Sequence, residues 1–319
     1  MSHWGATVIT NLVTAVPVLG QPIAELTTLI KDLIPIGIIN KNARKQERMI
    51  QNDYYLNLPK QFLAMLTGLI DGDGYILICD TSKGFIKLEL VINLHIRDLP
   101  LLEYIKNTLK LGRILTYKIK GDKEYCKLII NKTDLKEIFI PLLLYHNILF
   151  LTEIRLIQFN KMMYIFENNL TLIKDIPNII ELKYKPLRNK IINKSQKLVY
   201  QNYKELSYFQ NWFIGFTIAE GSFLLKNNQD AVFSLKQKLN IDLMLSIKSI
   251  FNDKISIYLE KSKYCQIYFS SKKDIQNVID FFSFKGNTPL IGYKLIQYEI
   301  WIGRLKETQR YKDLRFPNF

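Results

Sequence analysis

One short segment occurs twice in this chain. Leu66-Thr67-Gly68-Leu69-Ile70-Asp71-Gly72-Asp73-Gly74 returns as Phe213-Ile214-Gly215-Phe216-Thr217-Ile218-Ala219-Glu220-Gly221. At a constant offset Ala64 meets Asn211, Gly68 meets Gly215 and Gly72 meets Ala219, and the acid Asp73 meets the acid Glu220. Each acid precedes a glycine, with an aromatic residue soon after (Tyr75, Phe223). Small residues four apart form one stripe along a helix, and such a stripe lets two helix backbones touch. The pattern predicts that the two helices pack through Ala64, Gly68, Gly215 and Ala219. Both carboxylates then arrive together at one end of the pair, where two halves build a single metal site.

The rest of the chain repeats around these helices. After Gly74 come a short apolar strand to Cys79, a turn at Gly84 and a long alternating strand. In the long strand Ile86, Leu88, Leu90, Ile92, Leu94 and Ile96 face one way, and Lys87, Glu89, Val91, Asn93, His95 and Arg97 the other. That is the period of a half-buried antiparallel strand. Pro100 to Leu111 reads as a helix stopped at Gly112, a hairpin turns near Gly121-Asp122, and Leu135 to Phe150 returns to helix.

The second half repeats the order, with strands over Ser222–Leu225 and Val232–Leu239, a helix over Leu243–Phe251 and a hairpin over Lys254–Ser270. The predicted fold class is α+β: two pseudo-symmetric αββαββα repeats, each with an antiparallel sheet. Residues 1–58 form a leader and tether, 59–165 the first repeat, 166–206 a linker and 207–319 the second repeat.

Charge points to the partner. Among 319 residues, 44 Lys and Arg against 29 Asp and Glu give a net charge of +15, spread along the chain, which favours a polyanion such as nucleic acid. A two-stranded ribbon fits the major groove of duplex DNA. The polar sheet residues Lys87, Asn93, His95, Arg97, Lys118, Lys120, Lys127, Tyr258, Gln266 and Tyr268 are therefore the candidate DNA contacts. Cys79, Cys126 and Cys265 are too scattered for a zinc pattern and too few for a disulfide framework, and read as reduced strand residues. Three histidines argue against chemistry built on a histidine cluster. Abundant Ile, Lys, Asn, Tyr and Phe point to an AT-rich gene such as an organelle's.

The doubled motif resembles that of the LAGLIDADG homing endonucleases in their single-chain, two-repeat form, and the likeness extends from about Pro59 to the C-terminus. Thr288-Pro289-Leu290-Ile291-Gly292-Tyr293-Lys294, leading to Gln297-Tyr298 and Trp301, is similar to their terminal segment. Ser2-His3-Trp4-Gly5-Ala6-Thr7-Val8-Ile9-Thr10-Asn11-Leu12, continuing to about Gly20, resembles an internal stretch of mitochondrial cytochrome b. Together these imply an intron-encoded protein with an exon remnant at its front, made inside mitochondria without an import signal. The uncharged run from Trp4 is broken by Pro17, Gly20 and Pro22, and no membrane partner is expected for the mature domain.

The resemblance implies phosphodiester hydrolysis. Asp73 and Glu220, with the carbonyls of Gly72 and Ala219, would hold Mg²⁺ (or Mn²⁺), a hard cation suited to oxygen ligands. Lys132 and Lys294 fall where the family places basic residues near the phosphates, and Gln237 where a polar residue orders water. Asp71 has Ile218 as its counterpart and is expected at a helix end or in solvent. The Asp71-Gly72-Asp73-Gly74 run is not a calcium loop, because Tyr75 and Ile76 stand where a ligand and a glycine are needed. Two functions follow. One is a monomeric endonuclease that cuts double-stranded DNA at the intronless cytochrome b exon junction. The other is a maturase that helps its own group I intron RNA to splice, either in addition or alone.

Overall fold

The computed structural model describes residues 53–119, 123–185, 189–193, 198–261 and 263–318. The leader up to residue 52 and the predicted contact Lys120 lie outside them. Helix α1 (Lys60–Asp73) starts behind Pro59, whose φ of −60° suits a helix entrance, and buries nearly its whole length. It ends where Gly74 turns into strand β1 (Gly74–Asp80), with the Gly74 amide still bonded to the Ile70 carbonyl. A β-carbon on Gly74 would stand 2.8 Å from Ile70 Cα, so the reversal admits no side chain. Helix-to-strand reversal without a loop leaves Asp73 at the tip.

From β1 the chain pairs antiparallel with β2 (Ile86–His95), crosses α2 (Leu99–Leu109) and forms the hairpin β3 (Arg113–Ile119) and β4 (Lys123–Asn131). The sheet order is β1-β2-β4-β3. Leu88, Leu90 and Ile92 on β2 face the core with Cys126, Leu128 and Ile130 on β4, all buried. Beyond β4 the expected helix is shorter and less regular. It runs through Lys132–Asp134, a π-helical Leu135–Phe139 and α3 (Ile140–Tyr145), and Phe150 lies in an extended stretch before α4 (Glu153–Glu167). The connection after α4 passes beside the first sheet, the Ile86 amide bonding to Thr171, and then forms its own hairpin, β5 (Asn189–Asn193) with β6 (Leu198–Asn202).

The second repeat follows the same plan. Helix α5 (Phe209–Glu220) reverses at Gly221 into β7 (Gly221–Leu225), followed by β8 (Ala231–Lys238), α6 (Ile241–Phe251), β9 (Tyr258–Glu260), β10 (Tyr264–Phe269), α7 (Lys272–Ser283) and α8 (Tyr293–Glu307). Its sheet order, β7-β8-β10-β9, matches the first. The expected strand over Lys254–Ile257 does not form, and Leu259 on the short strand that follows is 59% exposed. The first core mixes aliphatic side chains with Phe139, Phe150, Phe159 and Phe166, whereas Phe213, Phe233, Phe251, Phe269, Phe281 and Phe282 interlock in the second with ring centroids 4.8–6.3 Å apart. All three cysteines lie on strands as free thiols.

The two repeats join along α1 and α5. A β-carbon on Gly68 would fall 1.8 Å from the Trp212 carbonyl oxygen, and one on Gly215 would fall 1.7 Å from that of Met65. Backbone therefore touches backbone at the crossing. Further along, a β-carbon on Gly72 would lie 2.3 Å from Ala219 Cβ and 3.3 Å from Glu220 Cγ, so the helices stay together to their acidic ends. Gly72 thus faces Ala219 as their offset implied, and Ala64, one turn before Gly68, is fully buried with its carbonyl accepting the Thr67 hydroxyl at 2.8 Å.

Candidate active site

The seam ends in two carboxylates. Burial raises both: Asp73 is pushed up to about 6, and Glu220 to about 7 with repulsion from Asp73 adding to the desolvation. Among the described residues neither accepts a hydrogen bond or forms an ion pair. Both helices also point their negative C-terminal ends at this spot. Buried like charges without partners are costly, and a cation between them removes that cost. Among the described residues no three His, Cys, Asp or Glu side chains cluster. The donor set is therefore two hard carboxylates and nearby main-chain oxygens, which fits a divalent cation that keeps water in its shell.

Two basic residues complete the setting. Lys294, on the first turn of α8, donates from Nζ to the Gly221 carbonyl at 2.6 Å. Arg155, on the first turn of α4, donates from Nε to the Ile70 carbonyl at 3.0 Å and from Nη1 to Gln158 at 2.9 Å. Burial lowers the pKa of both, against the pull of Asp73 and Glu220. The pair corrects the expectation that Lys132 partners Lys294. Lys132 stands just past β4, and burial and the neighbouring Lys136 lower its pKa. The equivalence was written in the chain: Arg155-Leu156-Ile157-Gln158 parallels Lys294-Leu295-Ile296-Gln297.

A cleft opens on each side of the acids. One, of about 180 Å³, is lined by Asp73, Ala219, Lys294, His95, Arg97 and Asp98 among others. The other, of about 360 Å³, is lined by Gly72, Asp71, Arg155, Gln237, Lys238 and Asn240 among others. They are pseudo-symmetric counterparts with different charge. Gln237 lines the cleft on the Arg155 side, with its Oε1 accepting the Lys238 amide at 2.7 Å. Asp71 lies at the end of α1, as one alternative had it, and not in solvent. It is 2% exposed and accepts four hydrogen bonds, from Leu151 N (2.8 Å), Thr152 N (3.1 Å), Thr152 Oγ1 (2.5 Å) and Trp212 Nε1 (2.7 Å). It bolts α1 to α5 and to the entrance of α4, which carries Arg155.

Register sorts the candidate DNA contacts. Directly paired residues share a face, so Lys87, Asn93, His95, Tyr125 and Lys127 stand together on the face away from the core, with Arg113 and Leu115. Lys118 does not join them. It lies opposite Glu124, to which it is ion-paired, on the face shared with buried Cys126. Asn93 is tied to the Tyr117 hydroxyl at 2.8 Å, and Lys87 to Glu89 at 3.2 Å. Arg97 leaves the sheet for the turn before α2, with its guanidinium 3.8 Å above the Tyr293 ring. On the second sheet Tyr258, Gln266 and Tyr268 share the outer face with Lys236.

The family model described as LAGLIDADG endonuclease matches residues 66–166 and 213–304, which takes in both acids and both basic residues. A protein from Dictyostelium discoideum named probable intron-encoded endonuclease aI3 is 30% identical over 103 residues, covering 32% of this chain and 43% of that protein. Its counterpart in Dictyostelium citrinum is 31% identical over 96 residues, covering 30% and 38%. This chain thus matches less than half the length of these curated relatives. Among solved structures, the meganuclease I-AabMI bound to uncleaved DNA is similar at a TM-score of 0.54 and 22% identity, covering 76% of this chain and 89% of that one. I-SmaMI bound to uncleaved DNA in the presence of calcium ions is similar at 0.52 and 19%, covering 79% and 93%.

Proposed function

Since the chain belongs to the LAGLIDADG endonuclease family, we propose that it is a homing endonuclease that makes a double-strand cut in the intronless cytochrome b gene. The observation that carries this reading is the meeting of Asp73 and Glu220, half-buried and without a hydrogen bond or ion pair among the described residues, at the joined ends of α1 and α5. Asp73, Glu220 and the carbonyls of Gly72 and Ala219 would hold Mg²⁺ or Mn²⁺, and calcium in the complex of I-SmaMI supports a divalent ion in such a fold. Bound there, the metal supplies an activated water and charge stabilisation at the leaving oxygen.

The chain's own residues do the rest. The two sheets hold one duplex by their outer faces, where Lys87, Lys127 and Lys236 stand; the similar meganucleases I-AabMI and I-SmaMI are bound to DNA. Lys294 and Arg155, one in each half, hold positive charge beside the acids and oppose the charge that gathers on a phosphate during cleavage. Gln237 orders solvent on one side. Burial keeps bulk water away, which strengthens each of these interactions. Two repeats in one chain supply both halves of the site, so a monomer suffices. The cytochrome b-like leader supports a mitochondrial origin and a second role as maturase for the group I intron.

The test uses the full chain with Mg²⁺ on a duplex spanning the exon junction near the codons for Val18-Leu19-Gly20, beside Asp73→Asn and Glu220→Gln. A double-strand cut lost in both variants establishes the nuclease. No cut, with protein-dependent splicing of the intron RNA that both variants retain, makes the protein a maturase only.

A further inference from the structure

Helix α8 lacks a cap of its own. Its first flanking residue is Gly292, held at φ +66° and bare of any side chain. The missing acceptor comes from the other repeat, 195 positions earlier, where Asp98 Oδ1 accepts the Tyr293 amide at 2.9 Å. Asp98 stands at the cap position of its own helix, α2, yet makes no side-chain bond to it. The fit at Gly292 leaves no slack. A β-carbon there would lie 3.0 Å from both Asp98 Oδ1 and Leu101 Cδ2. Arg97, over the Tyr293 ring, clasps the same residue from the other side. The next residue is Lys294, and Asp98 lines the same cleft as Lys294 and Asp73.

The opposite cleft is built differently. There Asn240 spends its Oδ1 on its own helix, accepting from Leu243 N at 3.2 Å, and reaches the other repeat only through Nδ2 at 3.5 Å from the Leu151 carbonyl. The cross-repeat cap is thus specific to the Lys294 side.

We propose that Asp98 is a positioning residue for Lys294, capping across the repeat boundary the helix that carries it. A first-turn amide without an acceptor lets the turn fray, and fraying at Tyr293 moves the adjacent ammonium off the Gly221 carbonyl. The inference rests on the endonuclease reading only in giving Lys294 a task in cleavage.

The experiment uses the full chain and a target duplex with each strand labelled separately. Asp98→Ala should slow cleavage of one strand by roughly 10- to 100-fold, the expected cost of a small misplacement of a catalytic group. The slowed strand should be the one slowed by Lys294→Ala, with duplex affinity unchanged. The double variant should be no slower than Lys294→Ala alone, and Asp98→Asn, which keeps the acceptor oxygen, should restore most of the rate. Amide exchange at 292–296 should quicken in Asp98→Ala and not in Asp98→Asn. If Asp98→Ala fails to fold, Gly292→Ala, whose β-carbon would lie 3.0 Å from Asp98 Oδ1, disturbs the same cap from the other side and should slow the same strand. Equal slowing of both strands, additive losses in the double variant, or no rescue by Asp98→Asn would overturn the assignment. If the wild type cuts nothing, the endonuclease reading fails, and the exchange measurement still decides whether the cap exists.

Discussion

Burial of Asp73 and Glu220 stores a pH dependence in the protein. Their ordinary values are 3.8 and 4.5, and in the fold they rise to about 6 and about 7. As pH climbs from about 4 to 7, the unfolded chain releases these protons while the folded chain keeps them. The folded state then binds more protons, so its stability falls over this window and is lowest once both acids are charged. Each should cost about 1–3 kcal/mol by that point. Thermal unfolding without divalent ions should show the fall, Asp73→Asn and Glu220→Gln should each lessen it, and the protein's affinity for Mn²⁺ should rise over the same range. Burial raises Asp71 to about 6 as well, so it adds to the same fall, but its four bonds make it structural. Asp71→Ala strands buried donors on Leu151, Thr152 and Trp212 and should destabilise by about 3 kcal/mol or more in urea unfolding.

Among elements, the crossing of α1 and α5 decides most. Gly68→Ala or Gly215→Ala sets a methyl inside the opposing backbone carbonyl, where no rotamer gives relief. The helices must separate, at a cost of about 3 kcal/mol or more, and the acids separate with them. Urea unfolding checks the first effect and loss of cutting the second. The crossing was legible because small residues at helical spacing have few other uses in so apolar a segment. How closely the backbones approach at Gly68 and Gly215 was not, because spacing gives a stripe and leaves the distance across it open. The strands were legible wherever alternation was strict, as in Ile86 to Leu94, and illegible in Lys254–Ile257, where nothing pairs with the alternating residues. Lys118 shows a further limit. Period two separates faces within one strand, whereas register across the hairpin decides which faces coincide.

For the whole molecule, a charge of +15 makes duplex affinity fall steeply with salt. Lys127→Ala, on the outer face, should reduce the slope of log affinity against log salt by about 1, and Lys118→Ala, opposite Glu124, should leave it unchanged. Fluorescence anisotropy over a salt series separates the two. Pseudo-symmetry at this scale also explains what sequence reading missed. The acids stood out because they sit inside the duplicated segment. Arg155 stood outside it, at a different offset from its partner, and in the chain only the short parallel of Arg155–Gln158 with Lys294–Gln297 marked the pair.

The glycine crossing has one more consequence. The two halves must agree with each other only along that narrow line of contact, while their sheets share no such obligation. Substitutions on one sheet can rewrite what that half recognises and leave the other half's preference intact. A chain that began as two equal copies is in this way free to settle on an asymmetric address, each side of which can change at its own pace.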